Sequence, residues 1–223
     1  MTPLLIDFET TGLSKTAKAC EVAWIEIDDD LNVVDSDMSL LDPQCQIEAG
    51  AAAIHGITNR MVAGAPTADE YFHDILNGAL SKQPVLMVAH CAPFDWRFFE
   101  PYAHRDTKTM CTLALARRIY PDAENHKLGT LAYLFDFVDD DTRLHSAESD
   151  LNMLLKLVRR MSEDTGLDIY GLAELSWQPN PNQKIWFGKH RGTPLRELPK
   201  DYIHWLLTKA DIDAELRAAL VVI

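Results

Sequence analysis

An apolar run at the start of the chain leads directly into two acidic side chains, and this feature constrains the fold most. The stretch LLIDFETTGL, residues 4–13, places Asp7 and Glu9 one residue apart and follows them with Thr-Thr-Gly. A short apolar run that ends in turn residues is typical of a buried β-strand. Residues i and i+2 of a strand point to the same side, so both carboxylates are expected on one face. A sheet that buries this strand must therefore present two acids together near its edge.

Strand and helix patterns alternate after this first strand, which is predicted over residues 3–8. Alternating or continuous apolar runs predict further strands over residues 20–28, 31–41 and 84–90. Apolar periodicity and proline positions predict helices over five segments, residues 68–80, 94–101, 111–120, 127–135 and 146–161. A hairpin followed by strands that alternate with helices predicts an α/β domain with a mixed sheet.

Composition limits the cellular context and the class of protein. No run of about eighteen apolar residues is present, so we expect no membrane span. No signal-peptide pattern and no C-x-x-C spacing among the four cysteines are found, so a cytoplasmic protein with reduced thiols is expected. The net charge of −13 argues against nucleic-acid binding through a broadly basic surface. It leaves open an enzyme whose acids are partly neutralised by metal ions.

The C-terminal part of the chain differs from the rest. The stretch at 176–184 holds two prolines and four amides and is predicted as a linker. It separates a domain at 1–175 from a small module at 185–223. Residues 183–223 carry seven Lys/Arg against five Asp/Glu, so the module is slightly basic on an acidic protein.

Three further residues near predicted element ends extend the acidic pair. Asp95 follows the apolar strand before it, and Asp150 lies one turn into the last long helix, with His145 just ahead of that helix. Carboxylate oxygens suit Mg²⁺ or Mn²⁺. Two such ions can activate water and stabilise the leaving oxygen in phosphodiester hydrolysis. The imidazole of His145 is suited to take the proton from that water.

Each of these residues also has a structural interpretation. Asp7 and Glu9 are compatible with a solvated turn, and His145 with a surface position. Asp150 is compatible with an acid that interacts favourably with the N-terminal end of a helix dipole. A zinc site made of His55, His90, Cys91 and Cys111 is disfavoured because their spacings match no zinc pattern.

The stretches IDFETTG, AHCAPFD and HSAESD resemble, in order and context, the three motifs of the DEDDh 3′–5′ exonucleases. AAAIHGIT, residues 51–58, resembles the segment between the first two motifs in many members. Within the family, TMCTLALARRIYP and FGKHRGTPLRELPKDYIHWLL are similar to the exodeoxyribonuclease X group, which carries a small C-terminal module of this pattern.

The resemblance implies a fold and a chemistry. The fold is a ribonuclease H-like exonuclease fold, α/β, with a mixed central sheet flanked by helices and a small C-terminal module. Asp7, Glu9, Asp95 and Asp150 match the four metal-binding acids, and His145 matches the general base. The implied cofactor is two Mg²⁺ ions, with Mn²⁺ able to substitute. The implied reaction releases nucleoside 5′-monophosphates from the 3′ end of a nucleic acid.

The resemblance also suggests substrate contacts. The segment that approaches the terminal nucleotide matches Thr10, Thr11, Gly12 and Leu13. Phe94 is placed either to stack on a base or to pack in the core next to Asp95. Many relatives have asparagine where this chain has Cys91, and a thiol is a weaker hydrogen-bond donor. We therefore expect the chemistry to be retained and substrate preference or affinity to be altered.

The turn FGKHRG of the module is a candidate phosphate-binding element through Lys189, His190 and Arg191. Four aromatic residues of the module are expected either to stack on bases or, preferably, to form its core: Trp186, Phe187, Tyr202 and Trp205.

The leading hypothesis is a metal-dependent 3′–5′ exonuclease that acts on DNA, at single-stranded or frayed ends, in repair or end-trimming. The first alternative is an exoribonuclease or oligoribonuclease-like enzyme that trims RNA. A second is a non-catalytic nucleic-acid-binding subunit associated with a polymerase, and a third is a structural protein whose acidic surface docks onto a basic partner. The expected partners are a nucleic acid with a 3′ end, DNA favoured over RNA, and a polymerase or repair complex, with no membrane. The sequence sets no oligomeric state.

Overall fold

The computed structural model of the chain describes residues 1–75, 83–138, 146–180, 182–212 and 214–223. Five strands in these ranges form one sheet: β1 Thr2–Thr10, β2 Ala19–Ile27, β3 Val33–Leu40, β4 Val85–Ala89 and β5 Lys108–Cys111. Within the described ranges, no helix combines the length and apolar character needed to cross a bilayer.

The sheet is mixed, with strand order β3-β2-β1-β4-β5. β1 and β2, and then β2 and β3, pair antiparallel, whereas β1, β4 and β5 run parallel to one another. The prediction of an α/β domain with a mixed sheet is confirmed. Because the three parallel strands point the same way, their carboxyl ends meet at one edge of the sheet. That edge is where the residues that follow β1, β4 and β5 can come together.

Helices connect and flank the strands. Their bounds are α1 Ala49–His55, α2 Asn59–Val62, α3 Ala92–Phe99, α4 Thr112–Ile119, α5 Leu128–Leu134, α6 Ala147–Thr165, α7 Ile169–Trp177, α8 Lys200–Lys209 and α9 Ala214–Val221. Shorter helical turns occur at Glu70–Ile75, which is π-helical, and at Glu100–Tyr102 and Leu195–Glu197, which are 3₁₀.

Several of these elements differ from the sequence-based expectation. The predicted helix at 68–80 has a π-helical turn at Glu70–Ile75, and its last residues lie outside the described ranges. The strand β5 was not predicted, because it is only four residues long and begins with polar residues. The helices α1, α2 and α7 were not predicted either. α7 is short and apolar on most sides, so it lacks a clear amphipathic period.

Alternate residues of β1 face two different hydrophobic clusters. Leu5 packs with the buried face of α6, whose residues Leu151, Leu154 and Val158 are all buried. Leu4 and Ile6 point to the opposite side, where the cluster includes several aromatic residues, among them Tyr71, Phe72, Phe99 and Tyr102. Since Asp7 and Glu9 share the side of Leu5, both carboxylates face the layer that holds α6.

The C-terminal module has its own apolar cluster, built around Ile185, Leu195, Tyr202, Leu206 and Leu216. Trp186 and Phe187 pack against this cluster, in agreement with the expectation of a core role, whereas Trp205 is 47 % exposed. The boundaries 1–175, 176–184 and 185–223 stay predictions. Within the predicted linker, Ser176, Asn180 and Gln183 are buried, so these residues pack against the rest of the protein.

Candidate active site

Three carboxylates converge where β1 ends. Asp7 and Glu9 project from the same face of β1, and Asp150 projects from the first turns of α6. A carboxylate oxygen from each residue lies within 4.8 Å of one from each of the others. The cluster brings Asp7 and Glu9, near the start of the chain, together with Asp150, about 140 residues later in the sequence. The arrangement therefore depends on how α6 is placed on the sheet.

The N-terminal end of α6 is fixed by two hydrogen bonds. The hydroxyl of Ser146 accepts a bond from the backbone N–H of Ser149 at 3.4 Å, which confirms Ser146 as the N-cap. The carboxylate of Glu21, on β2, accepts a bond from the backbone N–H of Ala147 at 3.2 Å. Glu21 lies directly opposite Glu9 in the β1–β2 pair. It is therefore both a support for α6 and a neighbour of the acidic cluster.

Sequence reasoning missed Glu21. Its signal was an acidic residue in the otherwise apolar start of a strand, CEVAWIEI, but that pattern alone does not distinguish a support from an exposed acid. The structure shows Glu21 buried, beside three other acids. Burial raises its pKa, the bond from Ala147 lowers it, and Asp150 raises it further.

The crowding of negative charge shifts the protonation of the cluster. Burial, then repulsion from Asp150 and Glu21, raises the pKa of Asp7 to about 7. Burial, then repulsion from Asp7, Asp150 and Glu21, raises the pKa of Glu9 to about 8. Carboxylates gathered in this way repel one another unless a cation lies among them. The donor set, oxygen atoms only, fits a hard divalent cation.

Asp95 lies beside this cluster but is not a member of the group of three. Its side chain projects from α3 and is only 4 % exposed. Burial and the charge of Asp7 raise the pKa of Asp95 well above its usual value, while bonds from its own backbone N–H and that of Phe8 lower it. The carboxyl of Asp95 is thus held against β1 through Phe8 and close enough to Asp7 for their charges to interact. The predicted set of four acids is brought to one region, with three of them in mutual contact range.

His145, the predicted general base, lies in the segment 139–145, outside the described residues. His90 belongs to the second motif and has both ring nitrogens engaged. Nδ1 lies 3.0 Å from the hydroxyl of Thr112, and Nε2 lies 2.8 Å from the carbonyl oxygen of His126. Burial lowers the pKa of His90 to about 4. This histidine is therefore neutral, and it connects the end of β4 with the start of α4 and with the loop before α5.

The turn after β1 is tightly tied to its surroundings. The hydroxyl of Thr10 donates to the carbonyl oxygen of Gly12 at 2.8 Å, and the hydroxyl of Thr11 accepts from the N–H of Lys18 at 3.1 Å. The carboxyl of Glu48 approaches Gly12 so closely that an added Cβ would lie 2.5 Å from its Cδ. His55 Nε2 lies 3.2 Å from the carbonyl oxygen of Thr10.

The two predicted apolar contacts differ in exposure. Leu13 is 84 % exposed at the tip of this turn, so its side chain is available to a ligand. Phe94 is half-buried and packs edge-on against Phe98, with ring centroids 5.4 Å apart. Cys91 is exposed at the N-cap of α3, and its side chain makes no capping hydrogen bond.

Lys189 and Arg191 lie on a turn of the module, away from β1 in sequence. Gly188 and Gly192 adopt positive φ values of 70° and 86° at the two ends of this turn. The ammonium of Lys189 lies 5.5 Å from the ring centroid of Tyr202. Arg191 lines a cavity between the module and the rest of the protein.

Comparison with known proteins identifies relatives of this site. The profile of the exonuclease family matches residues 4–158. Exodeoxyribonuclease 10 of Escherichia coli (strain K12) is 28% identical over 97% of this chain and 96% of its own length. The DNA polymerase III PolC-type of Caldanaerobacter subterraneus subsp. tengcongensis is 28% identical over 72% of this chain, and the match spans 12% of the polymerase.

Solved structures show the same architecture. Exonuclease X in complex with 5′ overhanging duplex DNA superposes with a TM-score of 0.63 at 26% identity, over 78% of this chain and 98% of that one. Escherichia coli exonuclease I in complex with a dT13 oligonucleotide gives a TM-score of 0.63 at 17% identity, over 74% of this chain and 42% of that one, and shares the fold. The family match covers β1, α3 and most of α6, which are the elements that carry the acidic residues. The chain therefore belongs to the exonuclease family.

Proposed function

We propose that this protein hydrolyses phosphodiester bonds at the 3′ end of DNA, in single strands or at frayed ends, and releases nucleoside 5′-monophosphates. The observation that carries the proposal is the convergence of Asp7, Glu9 and Asp150 within 4.8 Å at the end of β1. Buried carboxylates that lie this close together repel one another, and a divalent cation that takes part in the reaction would offset the repulsion. Two relatives point to DNA, Exodeoxyribonuclease 10 by its name and exonuclease X by its complex with duplex DNA.

Asp7, Glu9 and Asp150 would hold a divalent cation, and Asp95 would complete the set from the α3 side. We propose Mg²⁺ as the physiological ion, two per site, with Mn²⁺ as a substitute. When bound, such ions supply a Lewis acid for the scissile phosphate and lower the pKa of water. The protein's part is to hold the carboxylates in place, since the bonds from the helix backbone to the side chains of Ser146 and Glu21 fix the helix that carries Asp150.

His145 is proposed as the general base that takes a proton from the attacking water. Imidazole is suited to this role because its intrinsic pKa lies near neutrality. In sequence it directly precedes the N-cap Ser146, and Asp150 lies in the first turn of the helix that Ser146 caps.

The terminal nucleotide is proposed to lie on the turn after β1. Hydrogen bonds of Thr10 and Thr11 hold the backbone of this turn, and Gly12 lets a nucleotide approach that backbone closely. The exposed side chain of Leu13 offers an apolar surface to a base. Phe94 would supply a second apolar contact. Lys189 and Arg191 are proposed to hold phosphates further along the strand.

The wider role is proposed as DNA repair or end-trimming in the cytoplasm, alone or with a polymerase or repair complex. The similarity to a PolC-type DNA polymerase supports an association of this kind. RNA trimming is the second candidate for the same chemistry, because the acidic cluster by itself does not select the sugar.

The test is an exonuclease assay with single-stranded DNA labelled at its 5′ end. We expect a ladder that shortens from the 3′ end, requires Mg²⁺, and is absent with excess chelator or in Asp7→Ala. A matched RNA oligomer in the same gel assigns the sugar preference. If neither DNA nor RNA is shortened with Mg²⁺ or Mn²⁺, the proposed activity is wrong, and a binding role takes its place.

A further inference from the structure

A cavity of about 490 Å³ lies between the nuclease part of the chain and the C-terminal module. We call it the junction cavity. Its nuclease side is formed by His90, Arg117 and the loop before α5, and its module side by Gln183, Trp186 and Arg191. His90 follows β4 and directly precedes Cys91 and the helix that carries Asp95, so this part of the cavity wall lies at the edge of the sheet where the parallel strands end.

The junction cavity is basic on a protein that is strongly acidic. Arg117, Lys127, Lys184 and Arg191 line it, against a single acid, Glu124. Lys184 pairs with Asp122, at 2.9 Å, and the other three residues are basic as well. A concave basic site on a chain of net charge −13 is the expected place for a polyanion to bind.

The same cavity contains a planar cationic and aromatic pair. The guanidinium of Arg117 lies 3.7 Å from the centroid of the Trp186 ring, a stacking distance. Contact with an aromatic ring restricts the orientation of a guanidinium, whose N–H groups point outward within its own plane. It suits contact with a phosphate or with the face of a base.

A buried amide in the cavity wall has no hydrogen-bond partner in the part of the chain that the structure describes. Gln183 is 2 % exposed, and among the described residues neither its Nε2 nor its Oε1 has a hydrogen-bond partner. Its backbone is fully used, with the N–H donating to Asn180 and the carbonyl accepting from Leu195. Buried polar atoms without a partner are rare in native proteins and call for a ligand or water. An amide offers a donor and an acceptor side by side, which is the pattern that pairs with the edge of a nucleobase.

The turn 188–192 connects the junction cavity with an exposed aromatic surface. Arg191 and Gly192 line the cavity, while Gly188 and Lys189 line a neighbouring depression together with Trp205. Trp205 is 47 % exposed and lies parallel to Tyr202, with ring centroids 5.6 Å apart at an interplanar angle of 20°. An exposed indole supported from below by a second ring is a stacking platform for an unpaired base.

We propose that the junction cavity and the Trp205 platform together form a second binding surface for single-stranded DNA, engaging nucleotides upstream of the 3′ end. The proposal rests on the proposed function, because it extends the path of the same strand. In this arrangement Arg117 and Arg191 bind phosphates, Gln183 pairs with a base edge, and Trp205 stacks on a base. The module thereby holds the strand while its end is at the acidic cluster.

The test measures binding of a labelled oligothymidylate of about 20 nucleotides, long enough to cover both surfaces, in the presence of chelator so that no hydrolysis occurs. We expect Trp205→Ala to raise the Kd on the order of 10-fold, and Trp205→Phe to restore most of the affinity. Gln183→Leu should weaken binding while raising the Tm, since it removes an unpaired buried amide. The matched control is Trp177→Ala, which removes an indole of similar exposure, 44 %, from α7 and should leave the Kd unchanged.

The outcomes separate this inference from the proposed function. If the wild-type protein shortens DNA with Mg²⁺ but Trp205→Ala and Gln183→Leu both bind the oligomer as tightly as wild type, the second surface is wrong and the exonuclease stands. A Kd that Trp177→Ala raises as much as Trp205→Ala also overturns it. If the wild-type protein neither binds nor shortens the oligomer, both proposals fail together.

Discussion

The carboxylate of Glu21 accepts a hydrogen bond from the backbone N–H of Ala147, 3.2 Å away, and so joins β2 to the first residue of α6. Asp150 lies three residues further along that helix. The bond therefore links the position of a proposed metal ligand to a residue that is not itself in the group of three carboxylates. It also places one more negative charge beside them.

Replacing Glu21 with alanine should reduce activity by weakening the support of α6. We expect a 10- to 100-fold loss in activity or in the affinity for Mg²⁺, about the range found when a residue that orients a metal ligand is removed. The measurement is the rate of oligonucleotide shortening as a function of Mg²⁺ concentration. Glu21→Gln keeps an acceptor for the Ala147 N–H and should recover most of the loss. Equal defects in the two variants would show that the charge matters rather than the bond.

Asp7→Asn should separate activity from stability. The variant loses a carboxylate that the cation needs, so we expect the rate to fall by roughly 1,000-fold, in line with several kcal/mol of transition-state stabilisation. It also removes a buried charge that repels Glu9 and Asp150, so the metal-free variant should melt at a higher temperature than wild type. Thermal unfolding in chelator tests the second part. A lower Tm than that of wild type would contradict the electrostatic account.

The pH dependence of stability follows from the same crowding. The pKa of Asp7 rises from 3.8 to about 7 and that of Glu9 from 4.5 to about 8, because both are buried and near other acids. A carboxyl with a raised pKa in the folded state stabilises the fold below its unfolded value, and this contribution is lost as the pH rises through the folded value. Without metal, the Tm should therefore fall as the pH rises toward about 8.

The effect of the acidic cluster on the Tm is easiest to measure above pH 6.5. His90 has its pKa lowered from 6.5 to about 4, so below that pH it contributes in the opposite direction. Melting curves between pH 6.5 and about 8 in chelator should show the fall, and added Mg²⁺ should reduce it by offsetting the repulsion. Glu9→Gln in chelator is the control and should flatten the curve. An unchanged slope in that variant would exclude the acidic cluster as its source.

Cys91→Asn should stabilise the protein. Cys91 occupies the N-cap of α3 without a side-chain capping bond, and asparagine is among the preferred residues at that position. A gain of about 1 kcal/mol is expected, equivalent to a rise in Tm of about 2–4 °C for a chain of this size. Cys91→Ala should be close to neutral, because the thiol makes no capping bond. A Tm for Cys91→Asn no higher than that of Cys91→Ala would contradict this explanation.

The main features of the fold could be predicted because they depend on local patterns. The alternation of strands and helices, the N-cap Ser146 and the apolar face of α6 are each encoded within a few residues. The strand β5 escaped prediction because its place is set by pairing with β4, and nothing within its four residues specifies that partner. The helices α1 and α2 are similarly short, and contacts with the turn after β1, with residues 46 and 47 and with their own small cluster hold them in place.

In the candidate site, too, residues in local patterns could be predicted, whereas residues whose role depends on distant contacts could not. Asp7 and Glu9 could be paired from their spacing, and Asp95 and Asp150 could be proposed from their positions near predicted element ends. The resemblance to a known family then matched these residues to metal-binding acids. Glu21 could not be found in this way, because its role depends on two contacts that cross the chain, one with β1 and one with α6. The junction cavity depends on the packing of two parts of the chain, and no sequence pattern reports it.

The central position of β1 has a consequence for how the protein acquires activity during synthesis. β1 is paired with β2 through a local hairpin, but its other neighbour, β4, and the helix that brings Asp150 arrive much later in the chain. Contacts between distant segments form slowly. The first two acids thus leave the ribosome long before the third, and a nascent chain that stops short of α6 holds an incomplete set of ligands.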